Sequence, residues 1–283
     1  MSRRFVINLV QGETYLQKLN GTTKLGLFLI VMVYTMMSFD LRLLLPLFIL
    51  SWIGLASLKP NYKLILGLFG FIFFMNFVNI ILYYAVNQDV GSSYLNGTRT
   101  VLIQFNSYWY LTIETLWYLS VRQFKMMTSF MISMVFILSI TPGELASGMS
   151  GLKIPYKIST ITSLAFRYIP EIFNDYETIK MSMQARGLEL DKRRLNVFKR
   201  LKENLMILIP LIFTSFDRIG NIANALDLRG FGQGKSRTYY CEDPVTSRDK
   251  LFRGITILLI IFCISFMVYQ NVNHFGMWFP FKI

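Results

Sequence analysis

Apolar runs of helical length, separated by short polar or basic segments, dominate the chain. The run Leu64–Val86 would form about 35 Å of helix. That exceeds a hydrocarbon core of roughly 30 Å and allows a tilted crossing of the bilayer. Asp40 turns a hairpin between two of the runs. The pattern predicts five transmembrane spans: Leu25–Phe39, Leu41–Leu58, Leu64–Val86, Phe124–Ile140 and Ile255–Tyr269.

Charged and aromatic residues orient these spans. Lysines precede and follow the hairpin, which predicts that both of its ends are cytoplasmic. These lysines are Lys18, Lys24, Lys59 and Lys63. The segment Asn87–Thr98 has no Lys or Arg and is predicted to be external, and the aromatic segment Ser107–Ser120 is typical of the membrane interface. Arg122 and Lys125 would then mark the outer edge of the fourth span, because a charge at mid-membrane is costly unless it is paired.

The largest basic excess follows the fourth span. Seven basic residues lie between Arg186 and Lys202 and are opposed only by Glu189 and Asp191, which predicts a cytoplasmic location. The apolar stretch after Met1 is too short for a signal-peptide core, so the N-terminus is predicted to be retained and cytoplasmic. Five spans from that start would leave the C-terminus outside.

Composition agrees with an all-α, polytopic integral membrane protein. The chain is 53% hydrophobic and 16% aromatic, with a net charge of +13. Cytoplasmic loops at a bilayer surface explain this basic excess better than nucleic acid does. The Pro/Gly break at Thr141–Glu144 divides the chain. We expect a four-span membrane region at 1–140, a cytoplasmic region of coupling helices at 141–250, and a final span with an external C-terminus at 251–283.

Two long amphipathic helices are predicted in the cytoplasmic region. One begins after Pro155 and continues to Arg186, with a bend at Pro170. The other has a continuous apolar face, and its uninterrupted apolar core, Leu205–Phe216, is short for a span and suits an interfacial or packed helix. That face consists of Leu205, Ile209, Ile212, Phe216, Ile219, Ala223 and Leu226.

Each of these helices is predicted to end in an Arg-Gly motif. The motifs are Ala185-Arg186-Gly187 and Leu228-Arg229-Gly230. A glycine after a helix is a common C-cap, and an arginine in the last turn suits the helix dipole, so either motif alone is explained by capping. Two matched ends in one basic region favour a second role, in which each guanidinium forks onto a carboxylate of a partner protein.

With these motifs the sequence resembles the transmembrane T component of energy-coupling factor (ECF) transporters, which are ATP-binding-cassette importers of vitamins and metals. The resemblance covers nearly the whole chain and depends on the order and spacing of short segments. They are Gly12–Leu16, Leu19–Leu25, Thr141–Leu145, Leu152–Tyr156, Phe166–Pro170, Gln184–Leu188 and Ala225–Gly232. Leu228 stands where the family pattern would have alanine.

The resemblance implies a non-catalytic subunit of the cell membrane that links two cytoplasmic ATPases to a separate substrate-binding membrane protein. It implies that ATP and Mg bind to the ATPases and that this chain needs no cofactor or metal of its own. Arg186 and Arg229 would contact the ATPases, Ala185, Gly187 and Gly230 would allow close packing, and Leu228 would add an apolar contact.

Two other functions stay open from the residues. A self-sufficient secondary transporter would show repeated halves or charges at the midplane, and a membrane-embedded enzyme would need ionisable groups within its spans. The sequence shows no repeated halves and no charges at a midplane, and its apolar runs contain almost no ionisable residues. The segment Gly230–Ser236 resembles a phosphate-binding loop, but Arg229 occupies the position of its first glycine. The carboxylates Glu171, Asp175 and Glu177 are predicted to lie on the solvated face of a coupling helix.

Overall fold

The computed structural model describes residues 14–58, 60–94, 100–104, 110–188, 197–234, 245–273 and 279–280. The helices are α1 (Gly21–Met37), α2 (Leu41–Ser57), α3 (Tyr62–Val86), α4 (Val90–Tyr94), α5 (Ile113–Ser139), α6 (Pro142–Gly151), α7 (Tyr156–Ala185), α8 (Val197–Leu228) and α9 (Ser247–Asn273). Strands β1 (Val101–Gln104) and β2 (Tyr110–Thr112) pair antiparallel. The predicted all-α fold is therefore confirmed, with one small hairpin sheet.

The chain folds into two compact units. The first unit contains Met1–Gly148 and Glu242–Ile283, and the second contains Met149–Cys241. The assignment of 141–250 to the cytoplasm is a statement about the membrane and stays a prediction. Of the segments discussed above, Met1, Gly12–Glu13, Lys59, Leu95–Thr98, Ser107–Trp109 and the basic stretch Glu189–Asn196 lie outside the described residues.

Among the described residues, three helices are long and apolar enough to cross a membrane. They are Tyr62–Val86, Ile113–Ser139 and the part of α8 from Glu203 to Leu228, while α1 and α2 are shorter apolar helices. The apolar core Leu205–Phe216 is only part of a longer helix, because α8 continues without a break beyond Pro210. The helix that contains the predicted fourth span begins at Ile113, before Phe124.

Helix α5 is the centre of the first unit and packs against α1, α2, α3 and α4. One core cluster joins Leu44 of α2 to Tyr118 and Val121 of α5, and a second joins Leu55 of α2 to Met131 of α5. Most of α3 is exposed, and only 6% of its most apolar stretch of 18 residues is buried within the protein. An apolar helix with so little internal contact is suited to face lipid.

Two cations of α5 lie level with the ends of neighbouring helices. The ammonium of Lys125 donates to the carbonyl of Met36, in the last turn of α1, and lies 3.7 Å from the ring centroid of Phe39. The guanidinium of Arg122 lies 4.0 Å from the ring centroid of Tyr83, close to the end of α3. Both charges thus have partners at the level where α1 and α3 end, while their place at the edge of a span stays a prediction.

A buried ion pair fastens the start of α1 to α6. Lys24 Nζ lies 2.9 Å from Glu144 Oε2, and the two side chains are only 3% and 6% exposed. The same carboxylate accepts the backbone N–H of Thr141, while the Thr141 hydroxyl accepts the N–H of Glu144, which forms a capping box. A Cβ on Gly21 would lie 2.0 Å from the Glu144 carbonyl oxygen, so the backbones touch at this point.

A second buried carboxylate fastens α9 to the same end of α1. Asp249 accepts the backbone N–H groups of Asn20 and Thr246 at 2.8 and 2.9 Å. Burial alone would raise the pKa of Asp249, but these hydrogen bonds, with others from the Thr246 and Thr23 side chains, lower it below its ordinary value. Asp249 precedes the predicted span Ile255–Tyr269, so this network is a polar anchor outside that span.

In the second unit, α7 and α8 pack antiparallel. Arg218 of α8 contacts Asp175 of α7, and Tyr156 at the start of α7 meets Phe231 just after α8. The apolar face predicted on α8 is largely exposed, between 48% and 65% for its first five members. They are Leu205, Ile209, Ile212, Phe216 and Ile219. The buried apolar positions of α8 are instead Ile207 and Leu211, so the predicted face is not covered within the described part of the protein.

Candidate coupling site at two helix ends

The C-terminal end of α7 is closed by a hydrogen-bonded cap. Arg186 is the C-cap residue, and Gly187 follows it with φ of +92°. The N–H of Gly187 donates to the Gln184 carbonyl at 3.0 Å, and the N–H of Leu188 donates to the Met183 carbonyl at 3.0 Å. This pair of bonds is the Schellman motif, which satisfies carbonyls that the helix leaves open.

The C-terminal end of α8 has the same cap. Gly230 adopts φ of +67° after Arg229. The N–H of Gly230 donates to the Asp227 carbonyl at 2.9 Å, and the N–H of Phe231 donates to the Leu226 carbonyl at 2.9 Å. The two motifs seen in the sequence are therefore one structural unit used twice, with arginine and glycine at equivalent positions.

Backbone conformation explains both glycines. A Cβ on Gly187 would meet nothing within 4 Å, and one on Gly230 would be in ordinary contact with Gln233. Left-handed φ values are costly for residues that carry a Cβ. The glycines are thus needed for the cap itself, while their predicted role in close approach by a partner stays a prediction.

The cap does not explain the side chains that surround it. Ala185, Arg186 and Arg229 are exposed, and Leu228 is 90% exposed, the highest value among the large apolar residues that the structure describes. A leucine gains roughly 1.5–3 kcal/mol when it is fully buried. The two caps therefore leave these side chains accessible to a partner protein.

The antiparallel packing of α7 and α8 separates the two capped ends. The α8 end lies beside the start of α7, where the rings of Tyr156 and Phe231 meet edge to face at 5.7 Å. The α7 end lies at the other end of the pair, because α7 is a helix of 30 residues. The pair of helices therefore carries the same type of cap at two separate places.

Sequence reasoning missed the contact that joins the two helices between these ends. Arg218 binds Asp175 at 2.6 Å and Glu171 at 3.5 Å. Two of the three carboxylates assigned to a solvated face thus point towards α8, and the third, Glu177, pairs with Lys180 of its own helix. The spacing of Glu171 and Asp175, four residues apart, is the one sequence signal that could have indicated a shared partner.

The segment that resembles a phosphate-binding loop follows a helix rather than a strand. Gly230 caps α8, and residues 231–234 form turns and a bend, while Lys235 and Ser236 lie outside the described residues. A phosphate-binding loop connects a strand to a following helix. The glycines in the described part of this segment therefore belong to the helix end.

Apolar helices of spanning length together with a capped pair of amphipathic helices define a polytopic, all-α membrane protein. Comparison with known proteins identifies its family. A family model described as CbiQ, cobalt transport protein, matches residues 12–240. The chain therefore belongs to the CbiQ family, whose members include the transmembrane T components of ECF transporters.

Individual relatives agree with this membership. The energy-coupling factor transporter transmembrane protein EcfT of Lactococcus lactis subsp. cremoris is 25% identical over 276 residues, which cover 93% of this chain and 97% of the relative. The protein of the same name from Bacillus selenitireducens is 27% identical over 260 residues, which cover 88% of this chain and 91% of the relative. The chain is thus similar to T components along almost its whole length, as the sequence resemblance predicted.

Proposed function

We propose that this T component couples two cytoplasmic ATPases to a separate substrate-binding membrane protein through the capped ends of α7 and α8. Arg186 would bind a carboxylate in a groove of one ATPase, and Arg229 would do the same on the other. Nucleotide-driven movement of the grooves would then move the helix pair. The observation that carries the proposal is the repeated cap, which presents an exposed arginine at both ends of one antiparallel pair.

Two separate ends of similar structure fit two partners of similar structure. A pair of related ATPases would offer two equivalent grooves, and a single chain can fill both only if it repeats the matching element. The Schellman cap fixes the backbone that leads to each arginine, so little conformational entropy is lost when the side chain binds. Leu228 adds apolar area at the second end.

The exposed apolar face of α8 supports contact with a membrane partner. Its first five members leave a continuous stripe along the helix. An apolar stripe of this kind is typical of a surface that is covered by protein or lipid. We assign it to the substrate-binding protein, which would also contact exposed apolar residues of α7 such as Ile158 and Ile161.

Chemistry and selectivity then belong to the partners. The ATPases would bind ATP and Mg, and the substrate-binding protein would select the vitamin or metal ion. Among the described residues of this chain, no group of three or more His, Cys, Asp or Glu side chains is arranged to hold a metal. We further propose a location in the cell membrane with a cytoplasmic N-terminus, supported by the lysines that flank the α1–α2 hairpin.

Co-purification of the ATPases with variants of this chain tests the proposal. Arg186→Ala and Arg229→Ala each remove the cation of a charge pair that ATPase binding would bury. Loss of one member of such a pair costs roughly 2–5 kcal/mol. We expect each variant to retain less ATPase and the double variant to retain almost none. Lys63→Ala, which removes an exposed cation at the start of α3, is the matched control and should retain both ATPases.

Charge-conserving variants distinguish bidentate binding by a guanidinium from attraction to any positive charge. Arg186→Lys and Arg229→Lys keep the charge but lose the bidentate geometry, so they should fall between wild type and the alanine variants. Retention of both ATPases at wild-type levels by the double alanine variant would overturn the proposal.

A further inference from the structure

One guanidinium of α8 holds two carboxylates of α7 at the same time. Arg218 Nη2 lies 2.6 Å from Asp175 Oδ2, and Nη1 lies 3.5 Å from Glu171 Oε1. We propose that Arg218 is a positioning residue that fixes the crossing of α7 and α8, and with it the relative position and direction of the two coupling ends. This inference rests on the proposed function, because it assigns the arrangement of the ends a role in binding two ATPases.

The location of this contact carries the first part of the argument. Asp175 precedes Ala185 by about ten residues, and Arg218 precedes Leu228 by the same number, which gives two arms of about 15 Å each at the helical rise. A rotation of about 10° about the contact would move each end by about 3 Å. A small change in crossing angle therefore displaces both ends at once and changes the direction in which each of them points.

Exposure of the three side chains argues against a role in stability alone. The side chains remain 27% exposed for Arg218, 29% for Asp175 and 49% for Glu171. Ion pairs of this kind contribute little to the free energy of unfolding. What the planar guanidinium does supply is direction, because its two nitrogens bind two oxygens in fixed positions.

The local backbone adds a reason for such a contact at this point of α7. Pro170 lies inside the helix immediately before Glu171 and has no N–H to donate. The backbone thus lacks one helical hydrogen bond beside the first carboxylate. A contact to α8 on the following turn constrains the part of α7 that carries the first coupling end.

A fixed arrangement of the ends matters when two sites are bound together. If both ends engage one pair of ATPases, the second binding event is intramolecular and its strength depends on how often the second end lies in the correct position and direction. Loss of the Arg218 contact would broaden the range of positions and weaken the combined binding, even with both arginines present.

A distance measurement on the full-length chain tests this directly. Cys241 and Cys263, the only cysteines, are replaced by serine, and spin labels are placed at the exposed positions Ser163 and Asn224. Both positions lie on the same side of the Arg218 contact, so the distance between them depends on the crossing angle. In lipid nanodiscs, Arg218→Ala should broaden the distance distribution, and exchange of the charges (Arg218→Asp with Asp175→Arg) should narrow it again. Lys180→Ala, which breaks an ion pair within α7, is the control and should leave the distribution unchanged.

Binding of the ATPases supplies the second measurement. Arg218→Ala should weaken association of the ATPase pair by about tenfold, with an unchanged Tm, and the charge exchange should restore it. If Arg218→Ala fails to fold, Arg218→Lys, which keeps the charge without the fork, takes its place. An unchanged distance distribution in the folded variant would overturn the inference.

The same experiments distinguish this inference from the proposed function. The distance measurement needs no ATPase, so it can succeed even if Arg186 and Arg229 prove unnecessary for ATPase binding. Conversely, a narrow distribution in Arg218→Ala would remove the positioning role and leave the coupling ends unaffected.

Discussion

Arg186 and Arg229 occupy the same position of two caps of one type, the first at the end of α7 and the second at the end of α8. In each cap a glycine with positive φ follows the arginine, and the next residue returns a hydrogen bond into the last turn of the helix. A cap needs the glycine but not the arginine. The repeated arginine is therefore the feature that calls for a function beyond helix termination.

Replacement of Gly187 by alanine should loosen the first end. The φ of +92° costs an L-residue roughly 1–2 kcal/mol. We expect a small fall in Tm and a larger fall in retained ATPase, because the backbone that carries Arg186 would no longer be fixed. Thermal unfolding and co-purification measure the two effects.

Gly220 offers a matched control for this substitution. It lies inside α8, where an added Cβ meets nothing within 4 Å. Alanine is favoured over glycine in a helix interior by about 1 kcal/mol, so Gly220→Ala should raise Tm and leave ATPase retention unchanged. Equal behaviour of the two variants would mean that the cap geometry of Gly187 is not important.

Replacement of Leu228 by alanine should affect association but not folding. The side chain is 90% exposed, so its removal changes stability by less than about 0.5 kcal/mol. If an ATPase buries it, the loss is roughly 1.5–3 kcal/mol, or at least about tenfold in affinity. Titration of the complex with the ATPases measures this, and unchanged affinity would show that Leu228 stays in solvent.

Local signals in the sequence predicted the helix ends, but contacts between residues far apart in the chain were not predicted. Gly187 and Gly230 act within a few residues, so their role could be inferred from the chain alone. The start of α5 was missed because the aromatic segment Ser107–Ser120 is typical of the interface and Arg122 and Lys125 favour the edge of a span. The contacts of Glu114 with Thr100 and of Lys125 with the carbonyl of Met36 form only in the folded protein.

The same limit applies to α8. Periodicity identified an apolar face correctly as a face, but periodicity does not say which neighbour covers it. In the structure Arg218 is directed towards Asp175, while the apolar stripe around Ile212 is left exposed. The sequence pattern therefore predicts the stripe but not the side of α8 that contacts α7.

Loss of Lys24 should destabilise the first unit strongly. Its ammonium binds Glu144 Oε2 at 2.9 Å and the carbonyl of Gln17 at 2.7 Å, and it is almost fully buried. Lys24→Ala leaves a buried carboxylate without its cation, which costs about 3–5 kcal/mol. The double variant Lys24→Met with Glu144→Gln removes both charges and should cost less. A thermal unfolding series compares them, with Lys180→Ala as a half-exposed control; equal losses in the single and double variants would contradict a buried pair.

Acid should weaken the anchor between α9 and α1. Hydrogen bonds lower the pKa of Asp249 below its ordinary value, so the ionised form favours the folded state. Asp249 makes this contribution in full above the pKa that it has in the unfolded chain, about 4. The contribution is lost as pH falls through the lower pKa that Asp249 has in the folded protein. Asp249→Asn should therefore lower the free energy of unfolding by about 1–3 kcal/mol at neutral pH, and the difference from wild type should shrink below about pH 4. Tm measured against pH in nanodiscs shows this convergence, and Asp217→Asn, at an exposed position of α8, should follow wild type throughout. A difference that persists unchanged to the lowest pH would mean that the carboxylate acts by shape rather than by charge.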